Sequence, residues 1–453
     1  MSKAKKNTDL TSGPILKTLA ELALPIMLSS FLGTAYNIMD MAWIGLLGAK
    51  AVAGVGVGGM YVWLSQGIVA LPRMGGQVNV AQACGRKDYR EARAFAASAL
   101  RLTLLLGLVF TAICIIFIEP LLGFFQLTDP ETYEAARSYT LITCGLISFS
   151  YLNLTLTGLS TAQGDSRMPL IANFLGLIGN MILDPLLILG PGPFPKLGTA
   201  GAAIATVTAQ ALVFAVMVFH IFHSRLENNI LRNMHVFSRY PGKYYKRIFH
   251  IGFPTAVQSC IYCMISMSLT RMVSAFGAAA IATQRVGGQI ESVSWNTADG
   301  FATALNAFVA QNFGAKKPDR IRKGYSISFK ILTVWGLLIT AAFVFVPKPI
   351  ASLFFHDSSS LAIAANYLVI IGFSEAFMAI ELMTIGALSG LGMTRQCSII
   401  SILLTGSRIP LAMILSHMGM GLDGIWWALS LTSIAKGIVF TLTFRYVSRH
   451  KIG

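Results

Sequence analysis

Gly48-Ala-Lys-Ala-Val-Ala-Gly-Val-Gly-Val-Gly-Gly59 and Gly277-Ala-Ala-Ala-Ile-Ala-Thr-Gln-Arg-Val-Gly-Gly288 align at an offset of 229 residues. The same offset, without a gap, brings Pro25 onto Pro254, Gln82 onto Gln311, Gly85 onto Gly314, Lys87 onto Lys316 and Arg93 onto Arg322. An offset of 228 then pairs Gly164 with Gly392 and Arg167 with Arg395. Apolar residues coincide readily by chance; Gly, Pro and Lys at one offset do not. The chain reads as a duplication.

The repeated unit is overwhelmingly apolar. Of 453 residues, 55% are hydrophobic and only 12% charged, with a mean hydropathy of +0.66. A soluble domain carries about 25% charged residues. The deficit excludes a soluble enzyme and a disordered chain. Apolar runs fall near 15–47, 51–72, 94–118, 133–162, 168–190 and 198–224. Six more follow near 246–275, 280–312, 323–346, 361–391, 395–419 and 421–446. Each is long enough for a membrane helix, which needs roughly 20 apolar residues. Open strands cannot satisfy their edges in lipid, and the runs lack the alternation of a β-barrel. The expected fold is an all-α polytopic membrane protein: twelve transmembrane helices in two pseudo-symmetric six-helix lobes around a central cleft.

The net charge of +16 would suggest a nucleic-acid partner in a soluble chain. Here the basic residues are sorted by loop. With the N-terminus inside, they crowd the inner segments at 3–17, 86–93, 225–247, 316–323 and 445–451. The outer segments hold only Lys50, Arg137, Lys196 and Lys348. That asymmetry places both termini in the cytoplasm of a multi-pass cell-membrane protein. It explains the charge without nucleic acid. The polar stretch 225–247 reads as a cytoplasmic linker between an N-terminal lobe (1–224, spans one to six) and a C-terminal lobe (248–453, spans seven to twelve). Six spans separate the halves, so both begin outward and form a parallel repeat, an architecture used by two-lobed secondary transporters.

No phosphate-binding loop of the G-x-x-x-x-G-K-[ST] type occurs. Gly54–Gly59 lies inside a span and reads as close helix packing. Cys260-x-x-Cys263 has no second pair or histidine cluster beside it, so the cysteines read as packing residues and no metal or cofactor is expected. The informative residues are charges inside spans, each costing on the order of 3 kcal/mol at a helix centre. Asp40 is on span one, with Tyr36 and Asn37 four and three residues before it on the same face. On span five Asn173, Asn180 and Asp184 form one polar stripe. Interhelical hydrogen bonding alone would need amides but no carboxylate. The repeat sets Leu269 opposite Asp40, Arg408 opposite Asn180 and Ala412 opposite Asp184. The halves share scaffold but not chemistry, which points to a cation site in the N-terminal half. Glu375, Glu381 and Arg408 are charge sites of the C-terminal half. Pro25 and Pro185 interrupt the helices that carry the two aspartates and are candidate hinges.

Several blocks together resemble the multidrug and toxic compound extrusion (MATE) transporters. They are Gly13-Pro14-Ile15, Ala23-Leu-Pro25, Tyr36-Asn37-Ile-Met-Asp40, Gly158-x-x-x-x-Gln163-Gly164-Asp165, Asn180-x-x-x-Asp184-Pro185 and Gly198-x-x-Gly201-Ala-Ala-x-Ala-Thr206. The acids and amide of spans one and five look like the branch similar to DNA-damage-inducible protein F. The resemblance implies a cation site at Asp40, Asn180, Asp184 and Thr206, taking H⁺ or Na⁺. It implies a monomeric, non-enzymatic antiporter that exports amphipathic, often cationic drugs by alternating access. The alternative within the wider superfamily is a lipid-linked saccharide flippase, for which Arg271, Arg285 and Arg408 would meet a pyrophosphate.

The charge asymmetry generates a topology prediction. In intact cells a membrane-impermeant maleimide should label Lys196→Cys, and His235→Cys only after permeabilisation. Labelling of position 235 from outside would overturn the two-lobe arrangement.

Overall fold

The computed structural model describes residues 9–125, 127, 129–193, 195–223, 229–236, 238–355 and 358–450. Lys3, Lys5, Lys6, Arg225 and Lys451, all counted above as cytoplasmic charges, lie outside the described residues. The described residues form helices and no strand. The first half comprises α1 (Ile15–Gly45), α2 (Ala49–Gly85), α3 (Tyr89–Ile116), α4 (Ile118–Gly123), α5 (Pro130–Gly145), α6 (Ser148–Ala162), α7 (Arg167–Leu189) and α8 (Gly198–His223). The second comprises α9 (Gly242–Ser274), α10 (Ala278–Gly314), α11 (Pro318–Phe345), α12 (Pro347–Ser352), α13 (Ser358–Gly372), α14 (Glu375–Gly390), α15 (Thr394–Gly406), α16 (Arg408–Leu415) and α17 (Gly421–His450).

Among the described residues, eight helical stretches are long and apolar enough to cross a membrane, and two bent pairs bring the number to ten. The pairs, α5–α6 bent by 47° and α13–α14 by 49°, are the fourth and tenth spans. One of the eight stretches, Thr394–His450, contains a reversal. Gly419 stands at φ 97° and Gly421 at φ 54°, values open to glycine. The backbone of Leu415 then lies against Gly424, so α16 and α17 fold onto each other. The remaining long helix is α10, whose Gln284, Arg285, Gln289, Glu291, Asn296 and Asp299 lower its hydropathy. The protein is thus a polytopic all-α membrane protein of twelve spans in two pseudo-symmetric halves.

The duplication is visible in the backbone. Gly48 and Gly277 precede α2 and α10 with φ near 100° (100° and 98°). Lys87 and Lys316 follow the same helices at φ 61° and 56°, and are the non-glycine residues at positive φ among those described. Each closes a Schellman cap: Asp88 N–H bonds Ala83 C=O at 3.0 Å, and Lys317 N–H bonds Asn312 C=O at 2.9 Å. Gly164 and Gly392, at φ 85° and 83°, form the corresponding pair of caps on α6 and α14. Outside the spans, Asp129 caps α5. The Thr132 N–H, with Lys50 beside it, holds the Asp129 carboxyl down to about 2.

The chain forms two compact units, and their border differs from the sequence division at 224 and 248. One unit is 1–9 with 28–256; the other is 10–27 with 257–453. Both α1 and α9 therefore change unit part-way along. The changes come just after Pro25 and just after Pro254, which are partners in the repeat.

Glycine sets the helix spacing. A Cβ on Gly54 would stand 2.7 Å from Ala135 Cβ and 2.8 Å from Ala136 N, and one on Gly58 2.7 Å from Tyr139 Cδ1. The Gly54–Gly59 segment is thus a packing surface of α2 against α5. A Cβ on Gly176 would meet Val213 Cγ2 at 2.3 Å, and one on Gly201 would meet Leu187 O at 2.2 Å, binding α7 tightly to α8. Leu197 N–H also donates to Leu187 C=O at 3.0 Å. Because the obstacle at Gly201 is backbone, Gly201→Val cannot be relieved by a rotamer change. It should cost at least about 3 kcal/mol, the upper end of ordinary overpacking. Thermal melts in detergent should show the loss, while Gly56→Ala, facing open space, should melt like the parent.

Candidate cation site

Asp40 lies within about 8 Å of the end of α1, and Asp184 the same distance from the end of α7. Both are buried, at 7% and 0% exposure, as is Asn180. Asn180 Nδ2 donates to Asp184 Oδ1 at 3.0 Å. Pro185 follows at once and offers no N–H, so the carbonyl of Met181 loses its helical donor beside the acid. Asp40 and Asp184 stand within electrostatic reach of each other. Thr206, on the third turn of α8, faces Tyr36 of α1 and Tyr139 of α5. Both tyrosines lie within electrostatic reach of the two carboxylates. All these residues belong to one compact unit.

The site is rich in acceptors. Asp40 Oδ1, Asp184 Oδ2 and Asn180 Oδ1 are buried without a hydrogen-bond partner, and the Thr206 and Tyr36 hydroxyls face each other beside them. Carboxylate, amide and hydroxyl oxygens of this kind suit a hard cation or a proton. Ile44, Val55, Ile188, Ala202 and Ala203 pack around Tyr139 at the same end of the helices. Apolar side chains therefore surround the polar cluster. Among the described residues no three His, Cys, Asp or Glu side chains gather as for a transition metal.

The other sequence candidates separate from this cluster. Asn37 is exposed. Asn173 Nδ2 donates to Ser29 Oγ of α1 at 2.6 Å, two turns from Asn180. The stripe on α7 thus meets α1 at two levels, and its Asn173 end is an interhelical bond. In the other unit, Glu381 accepts from Lys436 Nζ at 2.7 Å, with both side chains buried. Lys436 was missed from the sequence, and it commits Glu381 to an ion pair. Arg408 donates to Thr432 Oγ1 at 2.9 Å and Ser433 Oγ at 3.0 Å, with Glu291 nearby. Glu375 is buried, and neither of its carboxylate oxygens has a partner.

Tyr139 was also missed. Its signal lay in the repeat: 228 residues on stands Tyr367, and both tyrosines abut a repeat-related glycine, Gly58 or Gly287. Tyr367 reaches Glu291 Oε2 at 3.5 Å, so each half aims this tyrosine at an acid.

Comparison with known proteins fixes the family. The MatE pattern matches residues 25–186 and again 254–414, the two repeats found above. The chain belongs to the MatE family. Among curated relatives of this MatE protein, the probable multidrug resistance protein NorM of Thermotoga maritima is 29% identical over 91% of this chain and 88% of its own. The FAD transporter of Shewanella oneidensis is 28% identical over 96% of this chain and 95% of its own. A crystal structure of MATE in complex with MaD3S superposes with a TM-score of 0.90 at 22% identity, covering 99% of each chain. A MOP superfamily transporter from Pyrococcus furiosus gives 0.88 at 23%, also over 99% of each. The MatE protein is a membrane transporter and not an enzyme.

The clustering of acids predicts unequal effects in the two halves of this MatE protein. Asp40→Asn and Asp184→Asn keep the shape but remove the exchangeable charge. Each should lower ion-driven export by at least about tenfold, the scale of a ~1.4 kcal/mol coupling energy. Glu375→Gln should do less. Resistance assays with membrane-fraction blots check this; full resistance from both Asn variants would dismiss the site.

Proposed function

We propose that this MatE protein is a cation-coupled multidrug antiporter, a monomer in the cell membrane with both ends in the cytoplasm. It exports amphipathic, often cationic organic compounds in exchange for H⁺ or Na⁺. The observation that carries this reading is the buried cluster of Asp40, Asn180, Asp184 and Thr206 with its surplus of acceptor oxygens. A buried charge in a membrane helix is costly and marks an ion path. The ion neutralises the paired carboxylates on one side of the membrane and leaves them on the other.

Coupling follows from where α1 bends. The loss of charge at Asp40 lets the outer part of α1 repack against α7. Pro25 supplies the bend, because the carbonyl one turn earlier has no helical donor. The segment before the bend is packed in the core through Leu19, Leu22 and Ala23, and the far end through Ile44, so movement is confined to the proline between them. Repacking changes the drug affinity of the unit that holds Asp40.

The FAD-transporting relative supports a second reading, export of an anionic dinucleotide. The flippase alternative is less favoured: Arg408 already serves Thr432, Ser433 and Glu291. Vesicles loaded with ethidium, FAD or lipid-linked saccharide, under an imposed H⁺ or Na⁺ gradient, separate all three. Gradient-driven movement of the organic cation alone is the expected result.

The hinge has its own test. Pro25→Ala should straighten α1, impair drug export and leave ion binding at Asp40 intact. Ion binding and export measured on the same purified variant decide it. Loss of both, or of neither, would count against a hinge.

A further inference from the structure

A groove of about 320 Å³ opens between the first turns of α11 and the last turns of α17. Four cations line it: Arg322 and Lys330 from α11, Arg445 and Arg449 from α17. On α11 the lining residues recur at helical spacing from Arg322 to Lys330, and on α17 from Thr441 to Arg449. Each helix thus presents one face over about 12 Å. The floor is aromatic and buried: Tyr325 stacks on Phe444 with ring centroids 3.6 Å apart. Arg322 joins the walls, donating to Ser448 C=O at 2.9 Å and standing 3.6 Å from Asp319. Among the described residues no acid lines the groove, and Lys330, Arg445 and Arg449 have no carboxylate within ion-pairing distance. The whole groove lies within one unit.

We propose that this groove binds one anionic phospholipid of the cytoplasmic leaflet. The leaflet follows from the orientation proposed above. Positive charge that serves topology alone can point anywhere on the cytoplasmic rim. Here the cations of two helices face one another over an apolar floor, the form taken by head-group pockets between membrane helices. Lys330 lies about 18 Å along α11 from Pro318. The cations are therefore strung from the helix end into the span, an arrangement that fits a head group and glycerol backbone. A compact phosphate ion would need them gathered at one point. The phosphodiester lies among Arg322, Arg445 and Arg449, the acyl chains descend past Phe329, and Lys330 meets the ester oxygens.

The test uses the full chain in nanodiscs of equal phosphatidylglycerol and phosphatidylcholine, followed by native mass spectrometry as lipid is stripped. The parent should retain phosphatidylglycerol preferentially. Lys330→Gln, Arg445→Gln and Arg449→Gln should each weaken retention roughly fivefold, the scale of one cation at a membrane surface. Lys246→Gln and Arg395→Gln, basic positions outside the groove, should not. Ser326→Trp fills the groove while keeping every cation, so it should also release the lipid. Three results would each overturn the proposal: equal retention in groove and control variants, retention unaffected by Ser326→Trp, or displacement of the lipid by excess inorganic phosphate.

Discussion

Helix backbones touch in this protein because glycine permits it, and the remaining architecture hangs on those contacts. Lipid gives helices no hydrophobic reason to associate, so close van der Waals packing must do so. At Gly58 and Gly287 the absent side chain makes room for a tyrosine ring; at Gly201 it makes room for the carbonyl of Leu187. The first two contacts fix where Tyr139 and Tyr367 point. The third, with Gly176 against Val213, clamps α8 onto α7 and so sets Thr206 opposite the stripe that holds Asp184. The polar site is a consequence of small residues elsewhere on the same helices.

The scaffold is symmetric, but the charges are not. In the first half Asn180 donates to Asp184, Asp40 stands near with two tyrosines in electrostatic reach, and among the described residues no basic side chain pairs with either acid. In the second half Glu381 has Lys436 and Glu291 has Arg408 and Tyr367, while Glu375 is buried near Glu291 with no cation of its own among the described residues. A buried carboxylate with a cationic partner is already neutralised by the protein, and removing one partner leaves the other stranded. Glu375 shares with Asp40 and Asp184 the lack of such a partner, so what sets the first half apart is the gathering of two carboxylates with an amide and hydroxyls, the basis of the ion exchange proposed there.

Much of this was legible in the sequence. The duplication fixed two halves, and its offsets of 229 and 228 recur in the matched Lys87–Lys316 and Gly164–Gly392 caps. Asp40, Asn180 and Asp184 stood out because charge and amides are rare in apolar runs. Tyr139 did not, since one tyrosine in a membrane span is unremarkable until a glycine on another helix aims it. Lys436 was lost in the apolar surroundings of span twelve. Asn173 shared a face with Asn180, but helical periodicity gives direction and not partner, and its partner is Ser29. The division of α1 and α9 between units depends on contacts hundreds of residues apart, which no local pattern encodes.

That division gives Pro25 a physical meaning its sequence context lacks. The residues up to Met27 are held with the C-terminal bundle. Leu10 is fully buried there, its carbonyl bonded by Asn312 at 2.9 Å, and Arg320 grips Ser12 and Gly13 at 2.6 and 2.7 Å. From Leu28 onward the same helix belongs with the site, through Ser29 and Asp40. A helix anchored at both ends in different bodies transmits any change between them unless it can bend. The missing hydrogen bond at Pro25 falls within one turn of the change of body, and Pro254 falls at the corresponding place in α9. On the hinge proposed above, that position is where a bend lets the segment held by Asn312 and Arg320 and the segment that carries Asp40 move separately; a proline that only shapes a static helix could stand anywhere along it.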